Sequence, residues 1–372
     1  VLPFESMTGP AEASFSEGVS IELQNLVAQL RKFKVKQPPE ASILAHFSDI
    51  PTLAKEMDVR WVLKGSVRRA ERRVRIAVQL IDADDDAAIV WSNVFDRELD
   101  VDNLFGIQAE IARAITSELR FSLDESAEQR LAGPPTQDTE AYEAYLLGRQ
   151  RLTDMRVDWV EDAIEQFAKA IDLDPDFSKA YSGLAEACYL HEGYQQVARC
   201  PDSKSELLAL ARKAVQLDPD SGEAWISLGA ILANSIDRST FQAQPEEFTK
   251  ATTEAQAAFQ RGLSLQHDYS RGYLWYGHFL RKRSILDGTF RESYRNGVWV
   301  EVWQQGLEVY PLSLLLHTVV SMDAPSREES LWHAQRVVEI APDSPLGFWR
   351  LSEVLWVEHG HVDESIRSAS KL

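Results

Sequence analysis

Residues 67–82, VRRAERRVRIAVQLID, crowd five arginines (Arg68, Arg69, Arg72, Arg73 and Arg75) into a short stretch, a density of guanidinium that suits phosphate. The charge of the chain opposes a nucleic-acid site there. It carries 39 Lys and Arg against 58 Asp and Glu, a net charge of −19. Both halves are acidic, with 16 basic against 22 acidic residues up to position 130 and 23 against 36 beyond it. A phosphate backbone is repelled by such a field. Periodicity also gives the arginines a plainer place, because Val74, Ile76, Val78 and Leu80 alternate with Arg73, Arg75, Ala77 and Gln79 as in a half-buried strand. The arginines then face solvent, and no nucleic-acid contact is expected.

Other reactive-looking residues invite the same weighing. The run DADDD, Asp82 to Asp86, offers carboxylates for calcium but lacks the spaced ligands and later Glu of a calcium-binding loop, so a solvated turn is expected. His359 and His361 stand where a last helix pair should turn, and two histidines alone seldom hold a metal tightly. Cys188 and Cys200 could form one bridge in an oxidising compartment, or remain two thiols with Cys188 in a helix core. No phosphate loop, dinucleotide fingerprint, G-x-S-x-G elbow or H-E-x-x-H pair is present, which removes common enzyme classes. No catalytic residue, metal or cofactor is expected. Among ten tryptophans, Trp225 and Trp303 fall on a packing framework, whereas Trp275, Trp299, Trp332, Trp349 and Trp356 lie off it and are candidates for a surface groove.

The elements that would position these residues divide the chain in two. Up to residue 130 strand and helix signals mix. VLPF reads as a strand cut off at its start, and the chain is expected to begin inside a larger protein. Phe15, Val19, Leu23, Leu26, Val27 and Leu30 mark a helix with one buried stripe. A short strand is expected over 33–37, then a helix capped by Asp49 and reaching Met57, with Pro51 in its first turn. Strands over 60–69, 73–83 and 88–96 follow, the first two joined by a tight turn at Ala70-Glu71-Arg72, and Leu104, Ile107, Ile111, Ile115 and Leu119 place a closing helix. This order implies a mixed sheet with helices packed on it, an α/β unit.

The segments VLPFESMTG, FSEGVSIELQNLV, WVLKGSVRRAERRVRIAVQLIDA, VWSNVFDREL and LFGIQAEIARAI together resemble the domain similar to the amino-terminal domain of TolB, over about residues 1–120. In bacterial proteins that domain stands before tetratricopeptide repeats, in the sensory halves of ToxR-like transcription regulators and class III adenylate cyclases. The resemblance implies a signalling output domain upstream, joined through a transmembrane helix outside this chain, and an extracytoplasmic, periplasmic placement.

Proline-rich residues 131–139 form a linker, and 140–372 reads as helical throughout. One spacing recurs there: Phe167/Ala170/Pro175, Ala211/Ala214/Pro219, Phe259/Gly262/His267, Trp303/Gly306/Pro311 and Ala334/Val337/Pro342. Six residues after each last position comes Tyr181, Trp225, Tyr273, His317 or Phe348, and a small residue (Ala185, Gly229, Gly277, Ser321, Ser352) four further on. This is the tetratricopeptide pattern: proline ends each second helix, small residues admit close approach and aromatics fill the space between pairs. About six repeats are expected, the last one clipped, with insertions between the two helices of a pair. They should stack into an all-α solenoid, a right-handed superhelix.

The expected function is a non-catalytic sensory or protein-interaction segment of a bacterial signalling or transcription-regulatory protein. The alternatives are a stand-alone, cytoplasmic assembly scaffold and the regulatory region of a membrane-bound adenylate cyclase. A protein or peptide partner should lie on the concave face, where framework spacing leaves Ser182, Glu186, Tyr189, Ser227, Asn234, Trp275, His278 and Arg281 free.

Overall fold

A computed structural model describes residues 1–9, 12–70, 72–131, 133–153, 157–191, 199–237, 241–242, 244–290 and 297–355. Its amino-terminal part carries a four-stranded sheet in the order β1 (Glu5–Ser6), β2 (Trp61–Ala70), β3 (Arg73–Asp82) and β4 (Ala88–Glu98). β1 runs parallel to β2 and the other pairs are antiparallel, so the sheet is mixed. The three long strands fall within two residues of their expected ranges, and Ala70 pairs with Arg73 across the expected tight turn. Val74, Ile76, Val78 and Leu80 are buried, while Arg68, Arg72, Arg73 and Arg75 are exposed. Arg73 is held by Asp96 on β4 at 2.6 Å, and Arg69 by Glu143 at 3.0 Å.

Two expected strands differ. The first is only Glu5–Ser6, flanked by amides of Leu2 and Met7 that bond to Leu63 and Val67. Residues 33–37 form no strand at all. The Gln37 amide donates instead to the Val309 carbonyl at 3.0 Å, at the end of a distant helix, and Pro38 and Pro39 offer no further donor to a sheet edge. The DADDD run is also less solvated than expected at its first residue. Asp82 is buried and receives Arg60 bidentately, with the closest contact at 2.8 Å.

Helix α1 (Ala13–Gln29) and α4 (Val101–Glu118) pack with the sheet, and α2 (Ala41–Leu44), α3 (Ile50–Met57) and α5 (Glu125–Arg130) are shorter. α3 begins as its residues require: the Asp49 side chain accepts from the Thr52 amide at 2.7 Å, and Pro51 lies in the first turn.

Antiparallel helix pairs follow: α6 (Thr139–Thr153) with α7 (Val157–Leu173), α8 (Ser178–Leu190) with α9 (Lys204–Leu217), α10 (Gly222–Ser235) with α11 (Pro245–Leu265), α12 (Ser270–Leu286) with α13 (Val298–Val309), and α14 (Leu314–Asp323) with α15 (Arg327–Ile340). α16 (Pro345–Glu353) then packs on both members of the last pair. Long connections fall inside the second, third and fourth pairs, where insertions were expected. Small residues serve the packing as proposed. A Cβ at Gly229 would meet the Phe259 ring at 3.0 Å, and one at Gly277 would meet the Trp303 indole nitrogen at 2.1 Å. Cys188, buried near the end of α8, is bonded to Cys200.

The sheet unit and the helix pairs share one hydrophobic core, which runs without a break from Phe4, Leu23 and Ile76 through Tyr145 and Phe167 to Phe259 and Trp303. The link is α1, which packs more closely on α6 than on any element of its own unit.

Candidate functional site

α1 lies across the faces of successive first helices. Its apolar stripe, Phe15, Val19, Leu23, Leu26 and Val27, is buried as periodicity requires, each side chain contributing on the order of 2 kcal/mol. The opposite side is buried as well: Ser16, Gly18, Ser20, Glu22, Gln24 and Asn25 have almost no exposure. Gly18 is what admits such closeness, for a Cβ there would come 2.7 Å from the Leu146 carbonyl oxygen on α6.

Burying polar groups costs several kcal/mol unless each finds a partner, and the helix pairs supply them. The Tyr145 hydroxyl donates to Glu22 Oε1 at 2.6 Å, and the Lys179 ammonium bonds the other oxygen. Asn25 Nδ2 donates to Glu22 at 3.0 Å and to Glu223 on α10 at 3.1 Å. Arg149 bridges Glu223 at 3.2 Å and Glu186 at 3.6 Å. Glu186 is further bonded by Arg271 and by the Tyr269 hydroxyl, at 2.9 and 2.8 Å to its two oxygens. Gln150 reaches Glu17 at 3.2 Å, and Arg31 donates to the Leu265 carbonyl at 3.0 Å.

Three carboxylates (Glu22, Glu186, Glu223) and three cations (Arg149, Lys179, Arg271) thus form a buried network of zero net charge. Burial alone would raise the Glu22 carboxyl, but Lys179, the Tyr145 hydroxyl and Arg149 together hold the group below its ordinary value. Burial would likewise lower Lys179, and Glu22 and Glu223 together keep it above its ordinary value. Both stay charged. Nearby, Asp268 has the opposite fate: burial lifts its carboxyl to about 8, and its Oδ1 has no hydrogen-bond partner.

This occupancy changes the expected partner surface. Ser182, Glu186, Ser227 and Trp275 are buried, and Tyr189, half-buried, packs edge-on against Trp275. Glu186 is taken up by Arg149, Arg271 and Tyr269. Arg281, half-buried, is paired with Asp323. Asn234 and His278 stay exposed. Repeat spacing identifies which residues leave the helix framework, but not that side chains of neighbouring helices, such as Arg149, Tyr269 and Arg271 around Glu186, take them up. Glu22, Asn25, Arg149, Lys179 and Arg271 were absent from the expected set.

Among the tryptophans, Trp275 and Trp299 are buried, the latter donating to Asp323 at 3.0 Å, whereas Trp332 and Trp349 are exposed. Trp225, expected in the core, is half-buried with its Nε1 on the Pro219 carbonyl at 2.8 Å. Trp356, His359 and His361 lie outside the described residues. Among the described residues no group of three or more His, Cys, Asp or Glu could hold a metal ion, and no helix is long and apolar enough to cross a membrane.

No protein-family description matches the chain. A curated relative is "Putative adenylate cyclase 3" of Rhizobium meliloti (strain 1021), 28% identical over 238 residues, which are 63% of this chain and 40% of that protein. The chain therefore spans well under half the length of the relative it matches. Similar solved structures include TTC0263, a thermophilic TPR protein in Thermus thermophilus, at 16% identity, 62% and 98% coverage of the two chains and a TM-score of 0.40. YrrB, a TPR protein with an unusual peptide-binding site, aligns at 17% identity, 56% and 89% coverage and a TM-score of 0.30. The human IFIT1 dimer with m7Gppp-AAAA aligns at 17% identity, 73% and 58% coverage and a TM-score of 0.45. At such TM-scores the helix-pair assignment rests on the packing of the chain's own helices.

Proposed function

We propose that this chain is a non-catalytic regulatory segment of a longer bacterial signalling protein. In it a TolB-amino-terminal-like unit, residues 1–130, is joined through 131–139 to a tetratricopeptide superhelix, residues 140–372. The observation that carries the reading is α1, seated on the first helices through a charge-neutral buried network. A face that recognises a helix by specific polar partners is an interaction surface, and here it transmits the position of one unit to the other. A protein or peptide partner engages the same face at its uncovered margin, where Asn234 and His278 are exposed. The curated relative's name favours an adenylate cyclase as the whole protein, with this segment as its regulatory part. The Cys188–Cys200 bridge supports an oxidising, extracytoplasmic placement.

The test uses the purified chain and the full-length protein. The chain alone should form no cyclic AMP from ATP and magnesium. In the full-length protein Gly18→Ala, which pushes a methyl into the Leu146 carbonyl, should shift the output of the signalling domain. Cyclase activity in the isolated chain would contradict the proposal. So would an unchanged output in a variant whose α1 amides have lost hydrogen-exchange protection.

A further inference from the structure

Between α3, the start of β2 and helices α13 and α15 lies a cavity of about 1020 Å³, at the upper end of the range of small-molecule sites. It is separate from the α1 network. Its walls are mainly apolar, with Leu53, Met57 and Val62 from the sheet unit and Leu307 and Trp332 from the helix pairs. Trp332 is 54% exposed, an apolar surface shown at the cavity while its ring packs edge-on against His333.

One polar group inside is aimed and unpaired. His317 Nε2 lies 3.0 Å from the Pro311 carbonyl, which can only accept, so that nitrogen carries the proton and Nδ1 is left as an acceptor. His333 Nδ1, 2.7 Å from His317 Nδ1, must then donate. That fixes His333 Nε2 as a lone pair with no partner among the described residues, on a ring that lines the cavity and is 6% exposed. Burial lowers His333 to about 3, so the ring is neutral near pH 7. The lining cations are engaged: Lys36 with Asp58 at 3.1 Å, Lys34 with Glu308 at 3.8 Å, Arg60 with Asp82 at 2.8 Å, and Arg336 with Glu56. Each lining cation is matched by a carboxylate, so an anionic ligand finds no unanswered positive charge among them, whereas a neutral one needs none.

We propose that this cavity binds an uncharged, largely apolar small molecule that donates one hydrogen bond, from a hydroxyl or N–H, to His333 Nε2. The site stands on the cavity alone, whichever output domain the whole protein carries.

The probe is N-phenyl-1-naphthylamine, neutral, apolar and bearing one N–H, whose fluorescence rises in apolar surroundings. Titrated into the chain at pH 7.5, it should bind saturably at one site with a Kd on the order of 10 μM. The anionic analogue 1-anilinonaphthalene-8-sulfonate should bind at least about tenfold more weakly. Leu307→Trp, which fills the space from a half-buried position, should abolish saturation, and His333→Phe should weaken binding about fivefold. Trp332→Ala, at an exposed position, should weaken it about threefold or more. Absence of saturable binding below about 100 μM in the unmodified chain would overturn the proposal. So would equal affinity for the sulfonate, or undiminished binding in Trp332→Ala.

Discussion

Asp268 shows what a single residue costs in this interior. It is 2% exposed, its Oδ1 lacks a partner, and burial raises its carboxyl to about 8, against about 3.9 in an unfolded chain. Between those values the folded state keeps a proton that the unfolded state releases, so its contribution to stability falls as pH rises from 4 to 8, by up to about 1.4 kcal/mol per pH unit, and then levels off. Asp268→Asn removes the titration while keeping the shape. Its stability gain over the parent, measured by urea unfolding, should be near zero at pH 4 and grow to a plateau above pH 8. A gain that does not change with pH would refute the assignment. Nothing in the sequence marks this residue, since His267 before it occupies a repeat position and an aspartate in the following turn reads as solvated. Its burial comes from the amino-terminal unit lying over the turn between α11 and α12.

Among the elements, α1 was legible by half. Its apolar stripe follows from Phe15, Val19, Leu23, Leu26 and Val27 at helical spacing, and all five are buried. The other face was not legible, because periodicity hands polar residues to water, whereas Glu22 and Asn25 find their partners at Lys179 and Glu223, well over a hundred residues away. A signal was present: no Lys or Arg occurs in the first thirty residues, and apart from Glu17 and Glu22 the polar face is made of Ser, Gly, Gln and Asn, which leaves its carboxylates without a cation on their own helix. If the network seats α1, removing one cation should leave Glu22 buried and unanswered. Lys179→Met should therefore destabilise the chain by about 3 kcal/mol, and Glu22→Gln with Lys179→Met should recover much of that loss. A loss in the double variant equal to the sum of the losses of Lys179→Met and Glu22→Gln alone would show that Glu22 and Lys179 are not coupled. The strands were legible for a simpler reason, since β2 from Leu63 to Arg68 and β3 from Arg73 to Leu80 alternate and pair with each other across a tight turn. The failed strand at 33–37 is the counterexample: its hydrogen-bond partner is Val309, which no local pattern announces.

For the whole molecule, the change of period near residue 131 marks where the strand-bearing stretch gives way to helix pairs, but it says nothing about how they sit together. One apolar core crosses the boundary, and a second, smaller cluster joins Ile43, Leu53 and Met57 to Tyr310, Leu312 and Ile340. Two contacts far apart in sequence, one through α1 and one through α3, clamp the sheet unit onto the helix pairs and enclose the cavity beside α3. A partner or ligand that shifts either contact must act on both units, which is how such a segment would pass a signal. Native-state hydrogen exchange across a denaturant series tests this integration most directly, by comparing amides of β3, such as Val74 and Ile76, with those of α10. The expected result is that both sets converge on one global unfolding isotherm, with α1 amides joining it. A lower, separate isotherm for β3 and α1 would mean that the sheet unit opens independently, and would contradict a single body held together by α1.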